Sequence, residues 1–273
     1  MYSHGFFYMS IITFTSDFGT SDHYAAAVKA ALLSENLQLQ LVDITHDIAS
    51  FNIIHGAYVL KSVFRDFPQG TIHIVAIDSL GTKTNRHLVV KLEEHFFIGP
   101  DNGILTLLSE QKPSLIVSLS LPDSQQVYSF PAKHIYAKAA ARLAEGESPA
   151  SLGEYVEAPA ELLPRRLKAN RRLIVGHVEH VDHYGNLITN INRQIFEELV
   201  AENDFTIQFG REKVDMITEN LNSVEYGEVF LLFNSLGRLE IGVNKGIASD
   251  LLGLGFDAPV RIVIHEKKEK EFQ

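Results

Sequence analysis

The segment IITFTSDFGTSDHYAAAVKAALL, residues 11–33, contains the pattern that decides the fold. Residues 11–15 form a short apolar run rich in β-branched side chains, and residues 16–22 form a polar turn. Apolar residues then recur at helical spacing on one face, starting near Asp22. A strand, a turn and a helix in this order predict the first part of a βαβ unit.

The same alternation continues along the first half of the chain. Further strands are predicted at residues 39–44, 71–77, 87–92 and 95–98, and further helices at residues 53–64 and 130–143. Strands that alternate with helical patterns favour crossover connections and parallel pairing. The first half is therefore predicted to be an α/β domain with a mostly parallel sheet.

The composition changes between residues 145 and 172, where proline and glycine punctuate the chain and arginine pairs follow. This stretch is the predicted domain boundary, with an α/β domain over residues 10–165 and a second domain over residues 172–266. In the second domain, short β-type runs are predicted at residues 173–181, 205–209, 229–233, 239–243 and 260–264. Short strands separated by turns predict a smaller C-terminal all-β barrel or sandwich, and we expect a barrel.

Composition and charge exclude several classes of function. The chain has no cysteine, which rules out disulfides and thiolate catalysis and is compatible with the predicted cytoplasmic location. Its formal charge of −10 argues against a nucleic-acid partner, which needs a basic face. No apolar stretch is long enough to cross a bilayer, so no membrane partner is expected.

Four aspartates fall at or just after predicted strand ends, namely Asp17, Asp43, Asp78 and Asp101. The carboxyl ends of parallel strands form the rim of the ligand crevice in an open sheet, so the first three could meet in space. Each could equally cap the helix that follows, and Asp22 lies where a helix N-cap belongs. Pattern alone leaves both readings open.

Other polar motifs carry less information about chemistry. Residues 101–103, Asp-Asn-Gly, lie between two apolar runs and predict a hairpin turn. His23 and His46 lack a second ligand at helical spacing, so a metal site is not expected. Glycine-rich phosphate loops and the Gly-x-Ser-x-Gly elbow are absent.

Six sequence blocks, in order, resemble the S-adenosyl-L-methionine (SAM) hydroxide adenosyltransferase family, also called SAM hydrolases, which are relatives of the fluorinase and chlorinase. The blocks are TSDFG (15–19), VDITH (42–46), FPQGTIH (67–73), GPDNGILT (99–106), VDHYGNLITN (181–190) and NSLGRLEI (234–241). The resemblance extends from Thr13 to about Ile264. Any one block is weak evidence, but six in the family's order are specific.

The resemblance implies an α/β domain joined to a β barrel in a homotrimer. It places the ligand between the first domain of one subunit and the second domain of a neighbour. It implies that Asp17 binds the ribose hydroxyls and Asp22 the methionine ammonium. The positions implied to hold adenine or line its pocket are Asn186, Ser235, Glu240 and Val243.

The resemblance also implies hydrolysis of SAM to adenosine and L-methionine by water attack at the ribose 5′-carbon. SAM is then the substrate and no cofactor is expected. The family uses an Asp, an Arg and a His around the water. Asp78 matches the Asp, and Arg86 is the candidate Arg because Asn85 occupies the expected position. Pro131 occupies the place of the His, and His134 lies three positions further on.

These departures leave other functions open. One is a catalytically silent SAM or adenosine binder that has lost the His, and another is a trimeric scaffold with an unrelated ligand. A halogenase is disfavoured, because a carboxylate at Asp78 would repel a halide. The resemblance fades at residues 220–225, so adenine contacts from that loop are not predicted.

Overall fold

A computed structural model describes residues 10–80, 85–121, 129–163 and 165–265 of the 273-residue chain. The chain divides into two compact units, the first ending at residue 164 and the second beginning at residue 165. Within the described ranges, no helix is both long enough and apolar enough to cross a bilayer. Each unit has its own sheet and core.

The first unit is a seven-stranded sheet with helices on both faces. Its strands are β1 (Ile11–Ser16), β2 (Gln40–Thr45), β3 (Ile72–Ala76), β4 (His87–Leu92), β5 (His95–Pro100), β6 (Leu115–Leu119) and β7 (Gly153–Tyr155). Its helices are α1 (Tyr24–Glu35), α2 (Ile53–Val63) and α3 (Ala137–Ala144). A π-helix at Ala132–Tyr136 precedes α3, and 3-10 turns cover Phe64–Asp66, Ile104–Leu107 and Pro149–Ser151. The strand order is β2-β1-β3-β5-β4-β6-β7.

The sheet is mixed, so the prediction of a mostly parallel sheet is only partly right. β1 pairs in parallel with β2 and β3, and β3 pairs in parallel with β5. The pairs β5–β4, β4–β6 and β6–β7 are antiparallel. The reason is local: only Glu93 and Glu94 connect β4 to β5, both with positive φ. A two-residue hairpin of that kind joins only antiparallel strands.

β3 is buried along its whole length and separates two hydrophobic cores. Ile72, Ile74 and Ala76 face the core that includes α1 and α3. Val75 and the following Ile77 face the core that includes α2. Because alternate residues of a strand point to opposite faces, both cores hold the end of β3 in place. Asp78 lies two residues after that end of β3.

Two local predictions are wrong. Helix α1 begins at Tyr24 and its N-cap is His23, which makes no capping hydrogen bond, so Asp22 is an exposed residue before the cap. Residues 101–103 do not form a hairpin. Gly103, with φ of 95°, instead precedes the 3-10 turn after β5. A left-handed glycine serves either purpose, and sequence alone does not distinguish them.

The second unit is mainly antiparallel β-structure. Its strands are β8 (Lys168–Ala169), β9 (Leu173–Val181), β10 (Leu187–Asn192), β11 (Asp204–Phe209), β12 (Glu212–Val214), β13 (Val229–Phe233), β14 (Arg238–Val243) and β15 (Pro259–His265). They follow the order β12-β11-β15-β9-β10-β14-β13, with β8 beside β9. The end strands β12 and β13 do not pair in the described part of the chain, so a closed barrel is not shown.

The prediction that the second unit is all-β is wrong. This unit also contains α4 (Arg193–Val200), α5 (Ala248–Leu252) and a 3-10 turn at Leu221–Ser223. Helix α4 has a clear local cause, because the Asn192 side chain accepts a hydrogen bond from the Ile195 N–H at its N-terminus. Phe196 and Val200, four residues apart on one face, are buried.

Candidate active site

A cavity of about 380 Å³ lies in the first unit, where β1 and β3 end. Its described lining residues are Asp17, Phe18, Tyr24, Ser50, Phe51, Asp78, Ser79, Leu80, Ser129, Phe130, Pro131 and Ala132. Asp17 follows β1 and Asp78 follows shortly after β3. Because β1 and β3 are parallel neighbours, their carboxyl ends bring the two aspartates together.

The Asp17 carboxylate is hydrogen-bonded to the backbone of Asp78. Asp17 Oδ2 accepts hydrogen bonds from the N–H of Phe51 at 2.9 Å and from the N–H of Asp78 at 3.2 Å. Asp17 Oδ1 makes no hydrogen bond to another described residue. Burial, together with the charge of Asp17, raises the pKa of Asp78 above its usual value. A carboxylate with a raised pKa is a stronger base, which suits proton acceptance.

Aromatic rings form much of the remaining wall. Phe18, Tyr24 and Phe130 pack against one another with ring centroids 5.4 to 5.9 Å apart. Phe51, at 74% exposure, borders the same cavity. Aromatic faces beside two carboxylates form an environment that attracts cations.

Asp43 and His46 do not line this cavity; they belong to a neighbouring polar cluster. Asp43 pairs with Lys29 at 2.8 Å and with His46 Nε2 at 3.2 Å. His46 Nδ1 lies 2.8 Å from the hydroxyl of buried Ser16. Of the three aspartates that the sequence suggested could meet, the structure therefore brings only Asp17 and Asp78 together.

Arg86 lies at the start of the β4 region and forms an ion pair with Asp101. Its Nε donates to Asp101 Oδ2 at 2.5 Å, and Asp101 Oδ1 accepts the Ala160 N–H at 2.6 Å. Asp101 is buried and the Arg86 side chain is partly exposed, so the ion pair compensates the buried carboxylate at the edge of the sheet. Arg86 is not among the described lining residues of the cavity. The segment between Leu80 and Asn85, including Gly81 and Thr82, lies outside the described residues.

Pro131 is a lining residue, directly before the π-helix, in the position that the resemblance assigns to the catalytic His. His134 is in the π-helix, packs edge-on against Phe130 and is not a lining residue. Burial and the charges of Lys133 and Lys138 lower the pKa of His134. The structure thus puts no His in the described wall of this cavity.

A buried polar chain lies behind the wall. Ser79 lines the cavity, and its buried hydroxyl lies close to the hydroxyl of Tyr136. Nearby, the hydroxyl of fully buried Tyr136 lies 2.7 Å from His87 Nδ1. Burial lowers the pKa of His87 to about 4 and raises that of Tyr136. The chain is therefore uncharged at neutral pH.

The second unit has a cavity of its own, of about 540 Å³. Its lining residues include Asn186 and Val243, two of the positions predicted to surround adenine. Asn186 Nδ2 donates to Glu240 Oε1 at 3.0 Å, whereas Ser235 is exposed in the turn between β13 and β14. Burial raises the pKa of Glu240, and the charge of Asp182 adds to this while hydrogen bonds from Asn234 and Asn186 oppose it.

Several residues in or beside the wall of the first cavity were not predicted as site residues from the sequence. Phe51 gave no signal, because a single aromatic is more often a core residue, and Phe130 was predicted only as the start of a helix. Ser79 follows Asp78 directly, and a single serine in a polar loop gives no signal of its own. Asn102, which bonds the carbonyl oxygens of residues 77 and 78, was read as part of a turn.

Together these features define a two-unit protein whose α/β unit carries an acidic, aromatic-walled cavity for a small ligand. The family model described as the SAM hydroxide adenosyltransferase N-terminal domain matches residues 12–153, and the C-terminal domain model matches residues 176–261. The chain belongs to this family.

Individual relatives agree over nearly the full length. A Thermus thermophilus protein named (R)-S-adenosyl-L-methionine hydrolase is 30% identical over 266 residues, covering 93% of this chain and 100% of the relative. A Methanocaldococcus jannaschii protein of the same name is 29% identical, covering 93% and 96%. A crystal structure of an uncharacterized conserved protein from Thermotoga maritima has a TM-score of 0.84 at 28% identity, covering 93% and 100%.

Proposed function

We propose that this protein hydrolyses SAM to adenosine and L-methionine, with water attacking the ribose 5′-carbon at the cavity of the first unit. One observation carries the proposal: Asp17 and Asp78 lie side by side in an aromatic-walled cavity, in a chain of this family. Family membership supplies the reaction class, and the cavity supplies residues of suitable chemistry.

The residues suit a cationic substrate that becomes neutral as it reacts. The sulfonium charge disappears when the thioether leaves, so no general acid is needed, and a pocket poor in water favours that loss of charge. Asp78 accepts the proton of the attacking water, a role favoured by its raised pKa. Asp17 uses Oδ2 for backbone N–H groups, which leaves Oδ1 for the ribose hydroxyls.

Two further roles stay predictions from the resemblance. Asp22, exposed just before α1, is proposed to bind the methionine ammonium. Arg86 is proposed to help orient the water, and its ion pair with Asp101 holds it in the β4–β5 region. Orientation of the water along the line of the breaking carbon–sulfur bond is what these groups would contribute.

The adenine site is proposed to come from a neighbouring subunit of a homotrimer. Asn186, Glu240 and Val243 in the second unit, together with Ser235, are the proposed adenine contacts. The exposed apolar residues beside both cavities support this: Phe51 and Leu80 at the first, Tyr184 and Ile247 at the second. The cytoplasmic location stays a prediction from the sequence.

The test is product analysis. Purified protein incubated with SAM should release adenosine and methionine in equal amounts, and Asp78→Asn should lower kcat by about 10²-fold, as expected for loss of a general base. The matched control is Asp66→Asn, an exposed aspartate of the same unit, which should leave kcat unchanged. No adenosine from the wild-type protein at high enzyme concentration would overturn the proposal.

A catalytically silent SAM or adenosine binder is the second candidate, and Pro131 is the observation that favours it. Proline cannot titrate, and it lines the cavity where the family has its His. This candidate predicts saturable binding of SAM in calorimetry with no adenosine in the same sample. If neither SAM nor adenosine binds, the scaffold alternative with an unrelated ligand takes its place.

A further inference from the structure

Asn102 lies directly beneath the proposed base and joins two strand ends. Its Nδ2 donates to the carbonyl oxygen of Ile77 at 3.0 Å and to that of Asp78 at 3.4 Å. Its Oδ1 accepts the Ile104 N–H at 3.2 Å. One half-buried amide therefore connects the chain that leaves β3 to the chain that leaves β5.

Asp78 needs such support because its backbone is left-handed, with φ of 47°. Residues other than glycine seldom adopt this conformation, and it persists only where the surroundings impose it. At Asp78 the backbone is held from both sides. Its N–H donates to Asp17 and its carbonyl oxygen accepts from Asn102.

We infer that Asn102 is a positioning residue for the proposed reaction. It holds the Asp78 backbone in its left-handed conformation and so keeps the Asp78 carboxylate in the cavity wall beside Asp17. The inference rests on the proposed function for its catalytic meaning, but the geometry of the amide stands independently. Asn102 does not line the cavity and acts through Asp78.

The residue type fits this role. An amide offers a donor and an acceptor at once, which the two carbonyl oxygens and the Ile104 N–H require. Serine at this position would be able to accept from Ile104, as short hydroxyl side chains do in turns, but is too short to reach the carbonyl oxygens of Ile77 and Asp78. Replacement by serine therefore keeps the hydrogen bond to the Ile104 N–H and removes the hydrogen bonds to the carbonyl oxygens of Ile77 and Asp78.

Loss of the Asn102 hydrogen bonds is expected to lower the pKa of Asp78. Asp17, Tyr24 and Asp78 are the titratable residues in the described lining of the cavity. If Asp78 moves away from Asp17 and toward solvent, both causes that raise its pKa weaken. The pKa of Asp78 should then fall toward that of an ordinary aspartate.

The kinetic experiment compares Asn102→Ala and Asn102→Ser with the wild-type protein. Both should lower kcat by about 10- to 100-fold, in line with the effect of misplacing a reacting group by about 1 Å, while KM for SAM changes little. The acid limb of the kcat profile should move to lower pH. The control is Asn36→Ala, which removes an equivalent bond away from the cavity, because Asn36 Oδ1 accepts from the N–H of Gln38, two residues further on.

A second readout does not depend on turnover. Carboxyl titration by NMR in protein labelled with [4-13C]aspartate gives the pKa of Asp78 directly, with Asp78→Asn for assignment. A lower pKa in Asn102→Ala and Asn102→Ser, and not in Asn36→Ala, supports the inference even if wild-type protein makes no adenosine. A wild-type protein that makes no adenosine would defeat the proposed function but not the role of Asn102. An unchanged Asp78 pKa, or unchanged kcat in an active enzyme, would overturn the role of Asn102.

Discussion

At the scale of single residues, burial decides which ionizable groups carry charge. His73 is fully buried, hydrogen-bonded to Thr13 at 2.7 Å and stacked on Phe97. Burial and the nearby His95 lower the pKa of His73 to about 3. His87, buried against Tyr136, has a pKa lowered to about 4. Both are therefore neutral in the folded protein at neutral pH.

These two histidines predict that stability falls on mild acidification. In the unfolded chain a histidine has a pKa of about 6.5, so below that pH the unfolded state binds protons that the folded state does not. Each histidine should lower the free energy of unfolding by about 1.4 kcal/mol per pH unit between pH 6.5 and its folded pKa. Urea unfolding at several pH values between 7 and 4.5 measures the slope.

Variants identify the source of that slope. The His73 ring contacts Phe64, Phe67 and Phe97, so phenylalanine is a suitable replacement. His73→Phe should reduce the pH dependence of the free energy of unfolding by the contribution of one proton, whatever its effect on stability at pH 7. His23→Gln, at an exposed position, should leave the slope as it is. Equal slopes in all three proteins would show that His73 stays accessible to protons.

At the scale of elements, the site depends on how closely β5 approaches β3. A Cβ at Gly99 would lie 2.7 Å from the carbonyl oxygen of Val75, and a backbone atom cannot swing aside. Gly99 thus permits the parallel pairing that puts Asn102 within reach of Ile77 and Asp78.

Gly99→Ala should therefore weaken both the fold and the site. Overpacking of this kind costs about 1 to 3 kcal/mol, and the displaced β5 should lower kcat as well. Urea unfolding and adenosine release measure the two effects. Gly255→Ala is the control, because a Cβ there meets nothing within 4 Å, and its stability should change by no more than about 0.5 kcal/mol. If Gly99→Ala behaves like the control, the close approach does not matter.

At the scale of the whole molecule, the proposed ligand set is divided between two units. The first unit carries Asp17 and Asp78, and the second carries Asn186 and Val243 in a cavity of its own. If subunits of a homotrimer share each site, two inactive variants should complement each other. A mixed trimer would contain some sites with an intact first unit from one chain and an intact second unit from another.

The expected result is recovery of activity on mixing. Asp78→Asn and Asn186→Ala, each poorly active alone, should regain adenosine release when co-refolded or co-expressed. Light scattering should give the mass of three chains. Asp78→Asn mixed with Asp17→Ala, both changed in the first unit, should show no recovery. Equal recovery in both mixtures, or a monomeric mass, would contradict a shared site.

The sequence by itself determined the first five strands and the helices of the first unit, but not β6 or β7, together with the change of composition before the second unit and the aspartates at strand ends. Strong hydrophobic periodicity and turn residues are local signals, and they locate elements without tertiary information. The six motif blocks also determined the family, which the comparisons confirm.

Only the tertiary structure decided which polar residues share a site. It separated Asp43, which pairs with Lys29 and contacts His46, from Asp17 and Asp78, and it paired Arg86 with Asp101. It also made part of the sheet antiparallel, because Glu93 and Glu94 connect β4 to β5 in a two-residue hairpin. These outcomes depend on contacts between residues far apart in the chain, or on backbone angles of one or two residues, and no periodic pattern encodes either.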